Sequence, residues 1–194
     1  MKKNRFSIQS IVVVGLMASL VFVFTLLNFP IPTPLEKTMV HLGNAMCLLS
    51  ALLFGKWKGG LAAGIGSMIF DLLDPIYLPE AWVTFLTKFA MGFICGLIAH
   101  SFSKNAGLKK KNVFYVVGAV SGALSYVVLY TSKIVITKYL IEGLAWETVL
   151  ATLTIKVPTS LFNAVTAVII SLILNAALRP SLKKANLSEK FGIV

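Results

Sequence analysis

The sequence predicts an all-α integral membrane protein: a bundle of six transmembrane helices with the N and C termini both cytoplasmic. Three observations carry this expectation. Of 194 residues, 57% are apolar and 13% are charged, against about 45–50% and about 25% in soluble globular chains. The apolar residues gather into long runs separated by proline, glycine and charge. The basic residues fall in alternate connections between those runs.

A helix crossing the hydrocarbon core needs about 20 mostly apolar residues, so six spans take about 120 residues and leave only short connections. The whole chain, 1–194, is therefore expected to form a single membrane domain. The first span is placed at about 8–28, closed by Pro30, Pro32 and Pro34, which cannot continue a helix. The second covers about 40–54 and ends at Gly55-Lys56-Trp57-Lys58. The third covers about 59–73 and stops at Asp74-Pro75. The fourth covers about 81–102 and the fifth about 113–141. The sixth is placed at about 158–178, with Pro158 at its first helical position, and residues 142–157 before it read as an external loop with a short amphipathic helix.

Charge orients the bundle. Thirteen of the 18 basic residues (Lys2, Lys3, Arg5, Lys56, Lys58, Lys104, Lys109, Lys110, Lys111, Arg179, Lys183, Lys184 and Lys190) occupy the termini and the second and fourth connections, accompanied by Glu189 alone among the acids. Glu36, Asp74, Glu80, Glu142 and Glu147 occupy the other connections. The positive-inside rule then puts both termini in the cytoplasm. The same distribution explains the net charge of +11 without nucleic acid, since no soluble basic face or stacking platform is present. The N-terminal run is too long for a signal-peptide core and leads into Asn28-Phe29-Pro30, not a small-residue cleavage site, so an uncleaved first helix is expected.

With the orientation set, Asp71, Lys88, His41, Asn44, Lys133, Lys156 and Asn163 all fall in the outer half, and the inner half is expected to be almost free of polar groups. Ionisable groups within spans usually face a bundle interior or a cavity. The one-sided distribution argues against a channel and for a pocket open to the outside above a dry bundle. Tyr126, Tyr130 and Lys133, spaced i, i+4, i+7, share one helix face. Two readings of that stripe stand side by side: a platform for a small heteroaromatic ligand, or an interfacial tyrosine belt with a snorkelling lysine. Asp71 and Lys88 are expected to form an ion pair. His41 and Asn163 can both donate to and accept from a polar ligand. The proline-rich segment from Phe29 to Thr38 is long and stiff enough to lie across the pocket mouth.

No catalytic constellation, metal-ligand motif or phosphate-binding loop occurs, so neither an enzyme nor a metal or cofactor site is expected. Cys47 and Cys95 lie within apolar runs and read as packing residues. Small residues at helix-packing spacing, Gly15/Ser19, Gly60/Gly64, Gly92/Gly96 and Gly118/Gly122, let helix backbones approach closely, and the last three pairs are expected inside the bundle.

One segment carries a family likeness. His41-Leu42-Gly43-Asn44-Ala45, then Leu53-Phe54-Gly55, then Gly59-Gly60-Leu61-Ala62-Ala63-Gly64-Ile65-Gly66-Ser67 leading to Asp71, and then 88–96, resembles the substrate-binding S components of energy-coupling factor (ECF) vitamin transporters, closest to the riboflavin-type and hydroxymethylpyrimidine/pyridoxine-type branch. A looser echo lies at 158–163. The resemblance implies a six-helix protein of a bacterial cell membrane that captures one vitamin or precursor from outside. Pyridoxine or hydroxymethylpyrimidine, riboflavin, pantothenate and cobalamin all remain open. It also implies a membrane coupling (T) subunit and two cytoplasmic ATPase subunits as partners. Docking to the T subunit would use small residues of the first helix, here Gly15 and Ser19 in place of the family's alanines. The candidate substrate-binding residues, selected by depth and chemistry, are His41, Asn44, Asp71, Lys88, Tyr126, Tyr130, Lys133 and Asn163. The excess of Lys88, Lys133 and Lys156 over Asp71 leans towards an acidic ligand. The competing reading is a stand-alone dimeric secondary transporter, which calls for coupling-ion groups at the midplane and an inverted repeat.

Overall fold

Helices account for most of the described residues, together with one short antiparallel strand pair: α1 (Ile8–Leu26), β1 (Asn28–Ile31), β2 (Thr38–His41), α2 (Gly43–Leu73), α3 (Ala81–Ser101), α4 (Leu108–Val135) and α5 (Trp146–Lys184). The computed structural model describes residues 7–31, 38–101 and 108–185. A 3₁₀ turn, Leu78–Glu80, leads into α3, and a π-helical turn, Ile136–Ile141, extends α4. Among the described residues, four stretches are long and apolar enough to cross a membrane: α1, 78–100, 110–141 and α5. Lys2, Lys3, Arg5, Glu36, Lys104, Glu189 and Lys190, used above to orient the chain, lie outside the described residues.

Ser7 caps α1, its hydroxyl accepting from the Ser10 N–H at 3.4 Å. The helix ends at Leu26, and the Asn28 amide donates back to the Thr25 and Leu26 carbonyls. The chain then differs from expectation. Where a proline-rich loop and the start of a helix at residue 40 were expected, β1 pairs antiparallel with β2, from Asn28 opposite His41 to Ile31 opposite Thr38. Pro30 is tolerated because a two-stranded ribbon has only edges. His41 consequently ends a strand instead of opening a helix, and Asn44 stands in the first turn of α2. Pro32 and Pro34 lie outside the described residues, so only the flanks of the segment expected over the pocket mouth are seen.

The second and third spans expected from sequence correspond to two limbs of α2, 43–54 and 56–73, separated at Gly55. Gly55 has φ 80° and ψ −178°, a conformation essentially reserved for glycine. The chain reverses there. The Ser50 hydroxyl reaches the Gly59 carbonyl at 3.2 Å, and Cys47 Sγ lies 3.9 Å from Ser67 Oγ. The first limb is the centre of the bundle: Ala45 to Leu53 is buried throughout. Its lack of charge follows from that position, since an unpaired charge among apolar side chains would be costly.

Around this limb, close helix approach depends on missing side chains. A Cβ on Gly92 would lie 2.9 Å from the Gly59 carbonyl oxygen, and one on Gly118 would lie 2.8 Å from that of Cys95. The three glycine pairs expected inside the bundle are therefore there. Large apolar residues point the other way: Val116, Val120, Leu124 and Val128 on α4, and Val165, Ile169 and Ile173 on α5, are exposed. Small residues inward and large ones outward is the arrangement of helices packed in lipid, where close backbone approach replaces a hydrophobic driving force.

The end of the chain corrects two boundaries. α4 begins at Leu108, before the expected 113. α5 begins at Trp146 and runs through Pro158 without interruption, so Pro158 is an interior residue and the expected external loop with a short helix is part of one long helix. Next to the missing proline donor, the Thr159 hydroxyl binds the Ile155 carbonyl at 2.9 Å. Such side-chain bonds help a membrane helix to carry an internal proline.

Candidate substrate-binding site

The hairpin, the Leu78–Glu80 turn and the π-helical turn meet at one end of the bundle and surround a cavity of about 730 Å³. Its walls come from β2, the second limb of α2, α3, α4 and α5. Of the residues expected at a substrate site, His41, Asp71, Lys88, Tyr126, Tyr130, Lys133 and Asn163 line this cavity. Asn44 stands behind the wall, fully buried.

One wall is a ladder of cations and rings. The Lys88 ammonium donates to Asn44 Oδ1 and lies 3.6 Å from the centroid of the Tyr126 ring. Tyr126 and Tyr130 stack with centroids 5.7 Å apart and planes 21° apart, one helical turn from each other on α4. Lys133 comes to 5.8 Å from the Tyr130 ring and forms an ion pair with Glu80. Lys133 and Glu80, so paired, both line the cavity. The Tyr126 face is already engaged by an ammonium, which limits its use as an open stacking platform.

The ion pair expected between Asp71 and Lys88 does not form. Lys88 is held by Asn44 and Tyr126, and the Asp71 carboxylate takes a hydrogen bond from Thr84. Both charged residues are nevertheless buried, at 7% and 4% exposure, and interact electrostatically without contact. Asn163 also has a role that its isolation in sequence concealed. Its Oδ1 accepts from the His41 N–H at 3.2 Å and its Nδ2 donates to the Met39 carbonyl at 3.0 Å, so one amide ties β2 to α5. Lys156 lines the cavity from within α5.

Glu80 and Thr84 were not singled out from the sequence. Their signal was present: Glu80, Thr84 and Lys88 are spaced i, i+4, i+8 and so share one face. At the opposite end of the bundle, the expectation of an inner half almost without polar groups is corrected. His100, Ser171 and Asn175 are buried there, and the Arg179 guanidinium lies 4.5 Å from the Tyr115 ring centroid. His100 Nε2 sits 3.2 Å from the Ala51 carbonyl oxygen. Between the two polar ends lies a dry layer that includes Leu48, Met91, Ala119 and Ala123. None of these four side chains lines the cavity.

Gly15 and Ser19, the pair expected to meet a partner, are placed differently from the other small residues. A Cβ on Gly15 would meet nothing within 4 Å, and the Ser19 hydroxyl is satisfied by the Gly15 carbonyl at 2.9 Å. Ile11, Val12 and Leu16 beside them are exposed.

Comparison with known proteins agrees with this architecture. A solved S component of a bacterial ECF transporter superposes with a TM-score of 0.62 at 18% identity, covering 90% of this chain and 98% of the other, a likeness of fold. A UPF0397 protein of Clostridium perfringens is 31% identical over 116 residues, 59% of this chain and 60% of that relative. A UPF0397 protein of Streptococcus pneumoniae is 33% identical over 93 residues, 48% of this chain and 49% of its own length. The matched segments thus span about half to three fifths of these relatives. The model of the ECF-type riboflavin transporter S-component family matches residues 5–180, nearly the whole chain, and the protein belongs to that family.

Proposed function

We propose that this protein is the substrate-capture component of an ECF-type importer, binding a small water-soluble vitamin or precursor from outside a bacterial cell membrane. The observation that carries the reading is the cavity of about 730 Å³ lined by buried charge at one end of a family member's bundle. That volume lies within the roughly 300–1,000 Å³ of small-molecule sites. In this reading the limbs of α2 count as separate spans, giving six, and the basic end carrying Lys56, Lys58 and Lys183 faces the cytoplasm. A bundle closed by a dry layer captures but does not conduct, so transport requires a membrane coupling subunit and two ATPases. The open surface at Gly15 and Ser19 supports α1 as the helix that meets the coupling subunit.

The test is binding by the purified protein alone, using calorimetry with riboflavin, pyridoxine, hydroxymethylpyrimidine, pantothenate and cobalamin. Tight binding of one of them without ATPase subunits is expected. No binding, together with ion-driven uptake by the protein alone in liposomes, would replace this reading with a stand-alone secondary transporter.

A further inference from the structure

Away from the capture cavity, α1 and the second limb of α2 leave a hollow at the opposite, basic end of the bundle. The two helices meet where a Cβ on Gly66 would lie 2.3 Å from the Ala18 carbonyl oxygen. Towards the start of each they part, and a groove of about 410 Å³ opens between Ile11, Val14 and Gly15 on one side and Trp57, Leu61 and Ile65 on the other. A Cβ on Gly15 would meet nothing within 4 Å. Ser10 and Lys58 complete the lining. The Ser10 hydroxyl lies 3.2 Å from that of Ser7, so Lys58 is the charged group of an otherwise apolar groove.

The charge around the groove selects what fills it. Lys56, Lys58, Arg179, Lys183 and Lys184 belong to this end, whereas every described acid, Asp71, Asp74, Glu80, Glu142 and Glu147, belongs to the cavity end. A second copy of this chain would bring the same cations and be repelled. An amphiphile with an anionic head is attracted: its acyl chain follows the apolar walls and restores the dispersion contacts that an open groove lacks, while its head group meets Lys58. Trp57 stands next to that lysine, half exposed, with the Phe93 ring edge-on at 5.0 Å between centroids. Amphipathic rings favour head-group depth. Basic pockets between membrane helices bind anionic head groups through the same chemistry.

We propose that the groove between α1 and the second limb of α2 is a binding site for an anionic phospholipid of the leaflet at the basic end, with an acyl chain between Gly15 and Leu61 and the phosphate at Lys58. A lipid there covers the Gly15 surface, so it must leave before that surface can meet another protein. The site does not depend on what the capture cavity binds.

The test uses the full chain in lipid nanodiscs, with Trp57 as the reporter. Trp82→Phe together with Trp146→Phe leaves it the single tryptophan of the three in the chain. Phosphatidylglycerol or phosphatidylcholine brominated along the acyl chain is titrated into unbrominated phosphatidylcholine, and quenching of Trp57 fluorescence is read. Half-maximal quenching is expected at a roughly fivefold lower mole fraction of the anionic lipid, the effect of one lysine near a membrane surface. Lys58→Gln should bring the two lipids to parity. Gly15→Leu, whose side chain enters the groove, should remove most of the anionic preference. Native mass spectrometry of the wild-type protein from mixed nanodiscs should show retained phosphatidylglycerol that Lys58→Gln loses, and this carries the test if the double tryptophan substitution does not fold. Equal quenching by the two lipids overturns the proposal. So does a preference untouched by Lys58→Gln, or one that survives Gly15→Leu and so marks ordinary lipid around the bundle. Protection of Trp57 from both lipids would show that protein covers the groove, and also overturns it. Each of these outcomes leaves the capture reading standing.

Discussion

The Lys88 ammonium is bracketed by two groups that carry no formal charge: it donates to Asn44 Oδ1 and stands 3.6 Å from the centroid of the Tyr126 ring. A buried cation without a carboxylate in contact is held in place by its hydrogen-bond acceptor and by the quadrupole of an aromatic face. Tyr126→Phe keeps that face and should leave the thermal unfolding midpoint close to wild type. Tyr126→Leu removes it and should cost about 2 kcal/mol or more, as for desolvated cation–π contacts. Melting of the two variants in the same detergent distinguishes them; equal losses would show that the ring contributes only volume.

Asn163 is expected to control the hairpin. Asn163→Ala removes both of its bonds to β2 and leaves the His41 N–H and Met39 carbonyl without those partners. The cost should be about 1–3 kcal/mol, concentrated locally. Amide exchange at His41 should accelerate well before exchange in α2. Uniform acceleration across the bundle would instead place Asn163 in the global core.

Gly55 should resist any side chain. Its backbone conformation costs other residues about 1–3 kcal/mol, so Gly55→Ala should lower stability by that amount. The reversal keeps Ser50 against Gly59, so the loss should appear as reduced yield and a lower melting temperature. An unchanged melting temperature would mean that the turn can be rebuilt with an ordinary residue.

Bulky residues on α1 should separate docking from binding. Gly15→Trp and Ser19→Trp enlarge a surface that contacts nothing within the protein at Gly15, so folding and ligand binding should persist while uptake with the complete transporter is lost. Gly96→Val is the contrasting control: its Cβ would lie 2.6 Å from Lys56 Cα, and overpacking of this kind costs about 1–3 kcal/mol or more. Loss of ligand binding in Gly15→Trp would place that face within the bundle's own packing.

The central limb of α2, the four long apolar stretches and the membrane character were all legible in the amino-acid sequence, because they depend on local composition and on the length needed to cross lipid. The clustering of Lys88, Tyr126, Tyr130 and Lys133 was legible in part, because helical spacing places residues on faces without naming what those faces meet. Only the tertiary structure decided partners. It directed Lys88 to Asn44 instead of Asp71, joined Lys133 to Glu80, and made Asn163, which lines the cavity, also the tie between β2 and α5. The β-hairpin and the continuity of α5 through Pro158 were hidden for a similar reason. A two-stranded pairing depends on residues that meet across a turn, and an interior proline depends on neighbouring groups that satisfy the freed backbone. Sequence therefore determined which segments enter the membrane and which side chains carry charge there. Three-dimensional packing determined how those charges are balanced, because an electrostatic partner is set by distance through space.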